Sequence, residues 1–167
     1  MVGGTEVTEP RWLAIAKTHI GTKEIVGPKH NAKIIGWLNR LKSWITTDEI
    51  PWCGTFVAAV MQEAGLPYPK EFPRAKAWAD YGANLRSTHV APGAILVFSR
   101  DGGGHVGFYL GEDATAYHVL GGNQSNSVNV TRILKNRCIA IRWPRGEAVT
   151  GMPVRLAANG EPSRNEA

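Results

Sequence analysis

The sequence predicts an α+β fold in which helices come first and an antiparallel sheet of about five strands follows. Before residue 66, three segments repeat apolar residues at helical spacing. After Pro92 and Gly93 the pattern changes to alternation, with turn residues between the segments. Helices followed by a run of short strands are typical of α+β domains whose helices pack on one face of the sheet.

The helices are predicted from their apolar stripes and end signals. Thr8 is the expected N-cap of the first helix, with Pro10 in its first turn and an apolar stripe that stops at Gly21. The second helix lies within "NAKIIGWLNRLKSW". The third contains "CGTFVAAVMQEAG", in which one apolar face ends at the C-terminal signal of Gly65. A short helix is expected around "RAKAWADYGANL".

The strands are predicted in "AILVFSR", "HVGFYLG", "TAYHVLG", "SVNVTRI" and "CIAIRWP", with the third helix covering one face of the sheet. The last segment, from residue 146 to 167, lacks periodicity. We therefore expect one domain over residues 1–145 and a C-terminal tail over residues 146–167.

Composition limits the partners. With 43% hydrophobic and 20% charged residues in 167, the chain has the character of a globular protein, and no segment approaches the roughly 18 apolar residues of a membrane span. Its start lacks the features of a signal peptide, so synthesis in the cytoplasm is expected. The net charge of +5 favours anionic partners, but the basic residues are scattered and match no nucleic-acid-binding motif.

Cys53 is the first candidate for chemistry. Two cysteines far apart in sequence indicate free thiols rather than a disulfide framework, and Cys138, within a strand, is expected in the core. Cys53 falls in the first turn of the third helix, where the helix N-terminus lowers the pKa of a thiol. Taken alone, a cysteine beside aromatic residues is more often a small buried hydrophobe. A histidine partner would decide between these roles.

His105 is the histidine best placed for that partnership. It opens a strand after "RDGGG", on the same face as Gly107 and Tyr109. A third polar group is needed to orient the imidazole, and either Asn123 or His118 could stand beside it. The alternatives are a strand-edge histidine for His105 and a turn residue for Asn123.

Functions other than catalysis by a Cys–His pair are less well supported. A zinc amidase could use Cys53, His105 and His118, but no two of them form a tight ligand pair on one element, so no metal or cofactor is expected. A non-catalytic module that binds an anionic wall polymer would need only the basic surface. A transpeptidase would share the chemistry of a hydrolase and differ only in the acceptor.

Five blocks, "PWCGTFVAAVMQEAG", "PGAILVFSR", "GGHVGFYLG", "VLGGNQSNSVNV" and "IRWP", together resemble the NlpC/P60 superfamily of papain-like cell-wall cysteine hydrolases. The resemblance covers about residues 9–144 and is closer to the small CHAP-type branch, common in phages as endolysins. It implies that Cys53 is the nucleophile and His105 the general base and acid. Asn123 matches the Asn of the CHAP pattern Glu-x-Asn, with Gly121 in place of the Glu, whereas His118 falls near the third residue of the broader pattern. Asn123 is preferred.

The same resemblance implies a peptidoglycan substrate, cleaved at an amide bond of the peptide stem through an acyl-enzyme, with backbone N–H groups at Cys53 binding the oxyanion. Glu24, His30, Asn31 and Asp48 are then candidate groove residues. Trp52 is expected either to wall the groove or to lie in the core. We expect a monomer that does not insert into membranes and acts in the periplasm or cell wall after release, as an endolysin does. A secreted antibacterial effector with the same chemistry is the alternative.

Overall fold

A computed structural model describes residues 9–25, 30–43, 51–158 and 162–163 of the chain. Three α-helices precede the sheet: α1 (Arg11–Thr18), α2 (Ala32–Arg40) and α3 (Cys53–Glu63). A 3₁₀ helix (Ala75–Asp80) leads to the strands, which are β1 (Ala83–Asn84), β2 (Ile95–Arg100), β3 (Gly103–Glu112), β4 (Ala116–Gln124), β5 (Ser127–Leu134) and β6 (Cys138–Trp143). The predicted α+β class is confirmed.

The strands form one antiparallel sheet in the order β1-β6-β2-β3-β4-β5. All five predicted strands are present as β2 to β6. The additional strand, β1, has two residues and pairs with β6 at the edge of the sheet. The two central strands, β2 and β3, pair from Ile95↔Phe108 to Arg100↔Gly103. His105 therefore lies on an interior strand.

Helix α3 packs against β3 and β4, as the sequence predicts. The ring of Phe56 meets that of Phe108 on β3 edge to face, with centroids 6.1 Å apart. Residues 53–61 are all buried, because α1 and α2 pack on the side of α3 that faces away from the sheet. The start of α3 is thus held between the sheet and the other helices.

The outer helices have identifiable anchors. Helix α1 begins after Pro10, and the predicted N-cap Thr8 lies outside the described residues. Trp12 in α1 donates from Nε1 to the carbonyl of Gly93 at 2.8 Å, which ties the helix to the start of the sheet. Asn31 caps α2, since its Oδ1 accepts from the N–H groups of Lys33 and Ile34.

Part of the predicted C-terminal tail is docked on the sheet. The N–H of Glu112 donates to the carbonyl of Val154, and the N–H of Leu156 donates to the carbonyl of Glu112, both at 2.8 Å. Leu156 covers Gly111, where a Cβ would stand 2.4 Å from its side chain. The domain boundary after residue 145 stays a prediction. No helix in the described ranges is long and apolar enough to cross a bilayer.

Candidate active site

Cys53 is the first residue of α3 and is only 4% exposed. Burial raises the pKa of its thiol, while hydrogen bonds from the backbone N–H groups of Val106, Gly54 and Cys53 itself favour the thiolate. No side chain caps this end of α3, so its first-turn N–H groups are not used by a capping residue. The sulfur thus lies in a buried position beside backbone donors that favour the thiolate.

The contact with Val106 places the sulfur next to His105 on β3. This part of β3 lies where the sheet opens, because the pairing of β3 with β4 begins only at Phe108↔Leu120. Across the opening, Gly122 of β4 packs on α3. A Cβ at Gly122 would lie 2.7 Å from Phe56 and 2.9 Å from the Trp52 ring. The start of α3 and the beginning of β3 thus meet at this opening, and the two residues predicted as a dyad belong to adjoining backbone.

His105 is fully buried, and its Nε2 lies 3.0 Å from Oε1 of Gln124. The amide nitrogen of Gln124 donates to the carbonyls of Val119 (3.1 Å) and Asn129 (2.7 Å) and to the Oδ1 of Asn129 (2.9 Å). Because these acceptors fix which end of the amide is nitrogen, Oε1 is the atom that faces the imidazole. His105 Nε2 consequently carries a hydrogen and donates it.

A β-bulge in β4 brings Gln124 to this position. Gly121 pairs with Asn129 and Gln124 pairs with Ser127, so two residues of β4 stand opposite one residue of β5. The extra residue turns Gln124 onto the face of Gly121. A Cβ at Gly121 would lie 2.6 Å from the Gln124 Oε1, so the glycine leaves the space that the amide fills.

The structure therefore corrects the predicted partner of His105: the contact is made by Gln124 and not by Asn123. Asn123 lies within the bulge with a left-handed φ of 58° and is 3% exposed. Among the described residues, no group bonds to its Oδ1. Asparagine tolerates this backbone conformation better than most residues, which explains its place in the bulge.

His118, the other candidate, lies at the far end of β4 opposite Gly111. Its Nε2 is 2.8 Å from Oδ2 of Asp113, which also accepts from the guanidinium of Arg132. That guanidinium holds the pKa of the Asp113 carboxyl well below its usual range. His118 thus belongs to a separate ionic cluster and does not contact His105.

The upstream candidates occupy structural positions. Trp52 is 1% exposed, so the core alternative describes it and the groove-wall alternative does not. Its Nε1 donates to Oε1 of Glu24 at 3.1 Å. Asn31 caps α2 and donates from Nδ2 to the carbonyl of Lys23. Substrate contacts of Glu24 and Asn31 stay predictions, and Asp48 lies outside the described residues.

Two cations near the site were not singled out from the sequence. Arg100, at the end of β2, favours the thiolate of Cys53 electrostatically and donates from Nε to the carbonyl of Gly104. Lys76 covers Gly104, where a Cβ would lie 2.9 Å from its Cγ. Scattered charges in a sequence give no sign that they converge in space. In the described part of the chain, no three His, Cys, Asp or Glu side chains are grouped so as to hold a metal ion.

A cavity of about 590 Å³ adjoins the start of α3. Its wall includes Phe72, whose carbonyl would lie 2.0 Å from a Cβ at Gly54, the residue after the thiol. Lys42, Lys70 and Arg74 also line it, against a single acidic residue, Glu71. Among its described charged lining residues, basic ones outnumber acidic ones, and its wall at Phe72 packs on Gly54, which follows Cys53 in the sequence.

A family model of the CHAP domain matches residues 45–123. The match includes Cys53 and His105 and ends one residue before Gln124. No curated protein matches the chain significantly. The matched segment contains α3, strands β1 to β3 and all but the last residue of β4, and it confirms the CHAP-type resemblance and the papain-like fold. The match over residues 45–123 is consistent with a CHAP-type cell-wall hydrolase domain.

Proposed function

We propose that this protein hydrolyses an amide bond in the peptide stem of peptidoglycan, with Cys53 as nucleophile and His105 as general base and acid. The match to the CHAP domain model suggests a peptidoglycan hydrolase or amidase in general terms. The observation that carries the specific mechanism is the contact of the Cys53 sulfur with the N–H of Val106, next to an imidazole held through Nε2 by Gln124.

The first half of the reaction follows from that arrangement. Since Nε2 donates to Gln124, the thiol proton passes to Nδ1 of His105, which is also buried. The sulfur then bonds to the amide carbonyl carbon, and the C–N bond breaks as Nδ1 returns the proton to the leaving nitrogen.

The second half restores the enzyme. Water attacks the thioester carbonyl, gives one proton to Nδ1 and releases the carboxylic acid, and the sulfur regains its proton. The uncapped N–H groups in the first turn of α3 stabilise the oxyanion in both halves, as donors at a helix N-terminus do.

The charge of the protein supports an acidic peptide substrate. Peptide stems carry carboxylates, and the cavity beside α3 presents Lys42, Lys70 and Arg74. Because its wall at Phe72 packs on Gly54, the proposal takes this cavity as the binding groove. An endolysin-like role, a monomeric state and action in the periplasm or cell wall are further parts of this proposal.

The test is mass spectrometry of the soluble fragments released from purified peptidoglycan. Wild type and Cys138→Ser, which removes the other thiol, are expected to release the same fragments, whereas Cys53→Ala and His105→Ala release none. The new termini identify the bond. Release by Cys53→Ala at the wild-type rate would overturn the thiol mechanism. If the wild-type protein pellets with the wall but releases no fragments, a binding module is supported instead.

A further inference from the structure

The side chain of Gln124 is held at both ends. Its oxygen accepts from His105, and its nitrogen lies within hydrogen-bond distance of three oxygens: the carbonyls of Val119 and Asn129 and the Oδ1 of Asn129. We call these three oxygens the amide cage. An amide nitrogen offers two hydrogens to such a site, whereas an ionised carboxylate offers none.

We propose that Gln124 is the positioning residue of His105 and that the amide cage accepts only an uncharged group in its place. The proposal rests on the proposed function in that His105 is taken as the general base. It goes further by assigning a role to Asn129, on the neighbouring strand, and by excluding an ionised carboxylate as the partner of His105.

The cage is fixed by β5. The Oδ1 of Asn129 accepts from the Thr131 hydroxyl at 2.7 Å. Its Nδ2 donates to the carbonyl of Gln124 at 2.8 Å and to the Ser127 hydroxyl at 2.9 Å. These bonds leave the side-chain amide of Asn129 only one orientation, with oxygen toward the Gln124 nitrogen. The position of the Asn129 Oδ1 therefore does not depend on the Gln124 side chain.

The chemistry separates glutamine from glutamate at this position. Ionised Glu would place a second negative oxygen about 3 Å from three other oxygens without a proton between them, an arrangement that is destabilising. Protonated Glu would reproduce the glutamine pattern, because its O–H donates to the cage while its carbonyl oxygen accepts from His105. Gln124→Glu should thus work only while its carboxyl is protonated.

A different result is expected if His105 needs only a hydrogen-bond acceptor and the charge of that acceptor does not matter. A carboxylate holds an imidazole in one orientation and stabilises its protonated form, as the aspartate of a catalytic triad does. On that reasoning Gln124→Glu would equal or exceed wild type at neutral and alkaline pH. The two expectations differ in the direction in which activity changes with pH.

The experiment is the pH profile of fragment release by Gln124→Glu, with Gln62→Glu as the matched control. Gln62 lies on α3, where its Nε2 donates to the Arg40 carbonyl, so the same charge change is made away from the cage. Gln124→Glu should lose kcat relative to wild type, at least tenfold as its carboxyl ionises, with little change in KM. Gln62→Glu should parallel wild type. A Gln124→Glu profile that matches or exceeds wild type above neutral pH would overturn the proposal.

Nuclear magnetic resonance of the His105 ring nitrogens gives a readout that needs no substrate. Wild type should show one tautomer with the hydrogen on Nε2, and Gln124→Met, which keeps the volume but removes the amide, should lose that preference. An unchanged tautomer and unchanged kcat in Gln124→Met would refute the positioning role. If wild type releases no fragments, the proposed function fails. The tautomer measurement still tests whether Gln124 positions His105, so the two failures can be told apart. Should Gln124→Glu fail to fold at neutral pH, recovery of its thermal transition on acidification would support the cage.

Discussion

Gly121→Ala should remove the contact between Gln124 and His105 without disturbing the sheet. The backbone of Gly121 is not in the left-handed region, so alanine can adopt it. The new methyl would stand 2.6 Å from Oε1 of Gln124 and 3.2 Å from Nε2 of His105. Contacts of Cβ under 3.0 Å are essentially never found, so the Gln124 oxygen must withdraw by about 0.4 Å or more.

The expected loss can be estimated from that movement. The bond between Gln124 and His105 measures 3.0 Å, so a withdrawal of 0.4 Å along it gives about 3.4 Å, a weak bond, and about 0.6 Å reaches the 3.6 Å at which no hydrogen bond remains. A hydrogen bond to a group that becomes charged contributes about 1.5–3 kcal/mol. Because His105 takes up the thiol proton in the proposed reaction, loss of the bond should lower kcat roughly 10- to 150-fold, with KM little changed. Stability should fall by about 1–3 kcal/mol, because the buried His105 N–H and Gln124 oxygen lose their partners.

The assay is the rate of soluble fragment release from purified peptidoglycan, with the thermal transition measured in parallel. Gly36→Ala, in α2, is the matched control, since its Cβ meets only the Arg40 side chain at 3.4 Å. It should retain wild-type kcat. Wild-type kcat in Gly121→Ala, with the thermal transition lowered as expected, would show that the Gln124 contact has no part in turnover.

Three further perturbations test the electrostatics. Arg100→Gln should slow alkylation of Cys53 by iodoacetamide about two- to fivefold at fixed pH, because Arg100 favours the thiolate; an unchanged rate would contradict this. Burial raises the pKa of the Cys138 thiol to about 11, whereas the unfolded thiol titrates near 9. The free energy of unfolding in urea should therefore fall as pH rises from 9 to 11, and less so in Cys138→Ala; equal slopes would exclude this cause. Asp113→Asn leaves Arg132 without its buried carboxylate and should lower the free energy of unfolding by about 3–5 kcal/mol at neutral pH. The difference from wild type should narrow in acid, where the wild-type carboxyl protonates. An unchanged urea midpoint at neutral pH would contradict this prediction.

The fold was predictable because its signals are local. Alternation of apolar residues is a property of each strand, and all five segments that show it are strands of the sheet. Strand β1 was missed because its two residues are too few to show a pattern, and only pairing with β6 defines it. The place where the tail docks, around Leu156, was not predictable for a related reason, since the segment is held by bonds to Glu112 and not by its own periodicity.

The site was predictable as far as residue types and element ends allow. Cys53 at a helix start and His105 at a strand start follow from the sequence, and the structure brings their backbones together. The choice of Asn123 rested on its match to the Asn of the CHAP pattern, and that match gives no sign of the bulge in which Asn123 lies. The segment "GGNQSN" is rich in residue types that favour turns, which is a sequence signal against a regular strand. In the structure, Asn123, Ser125 and Asn126 all adopt left-handed backbone conformations. Composition alone does not say on which side of such a bulge a side chain emerges.

Gly121 and the bulge depend on each other. Without the bulge, Gln124 would share the face of Gly122, which packs on Trp52 and Phe56 of α3, and its amide would meet aromatic rings instead of an imidazole. Without the glycine, the bulge would still turn Gln124 toward His105, but a side chain at 121 would occupy the space of its oxygen. A change at either position alone therefore leaves His105 without its acceptor. Within this chain the two features act as one unit, and a residue that supplies the acceptor from position 121 would have to displace Gln124 from the amide cage.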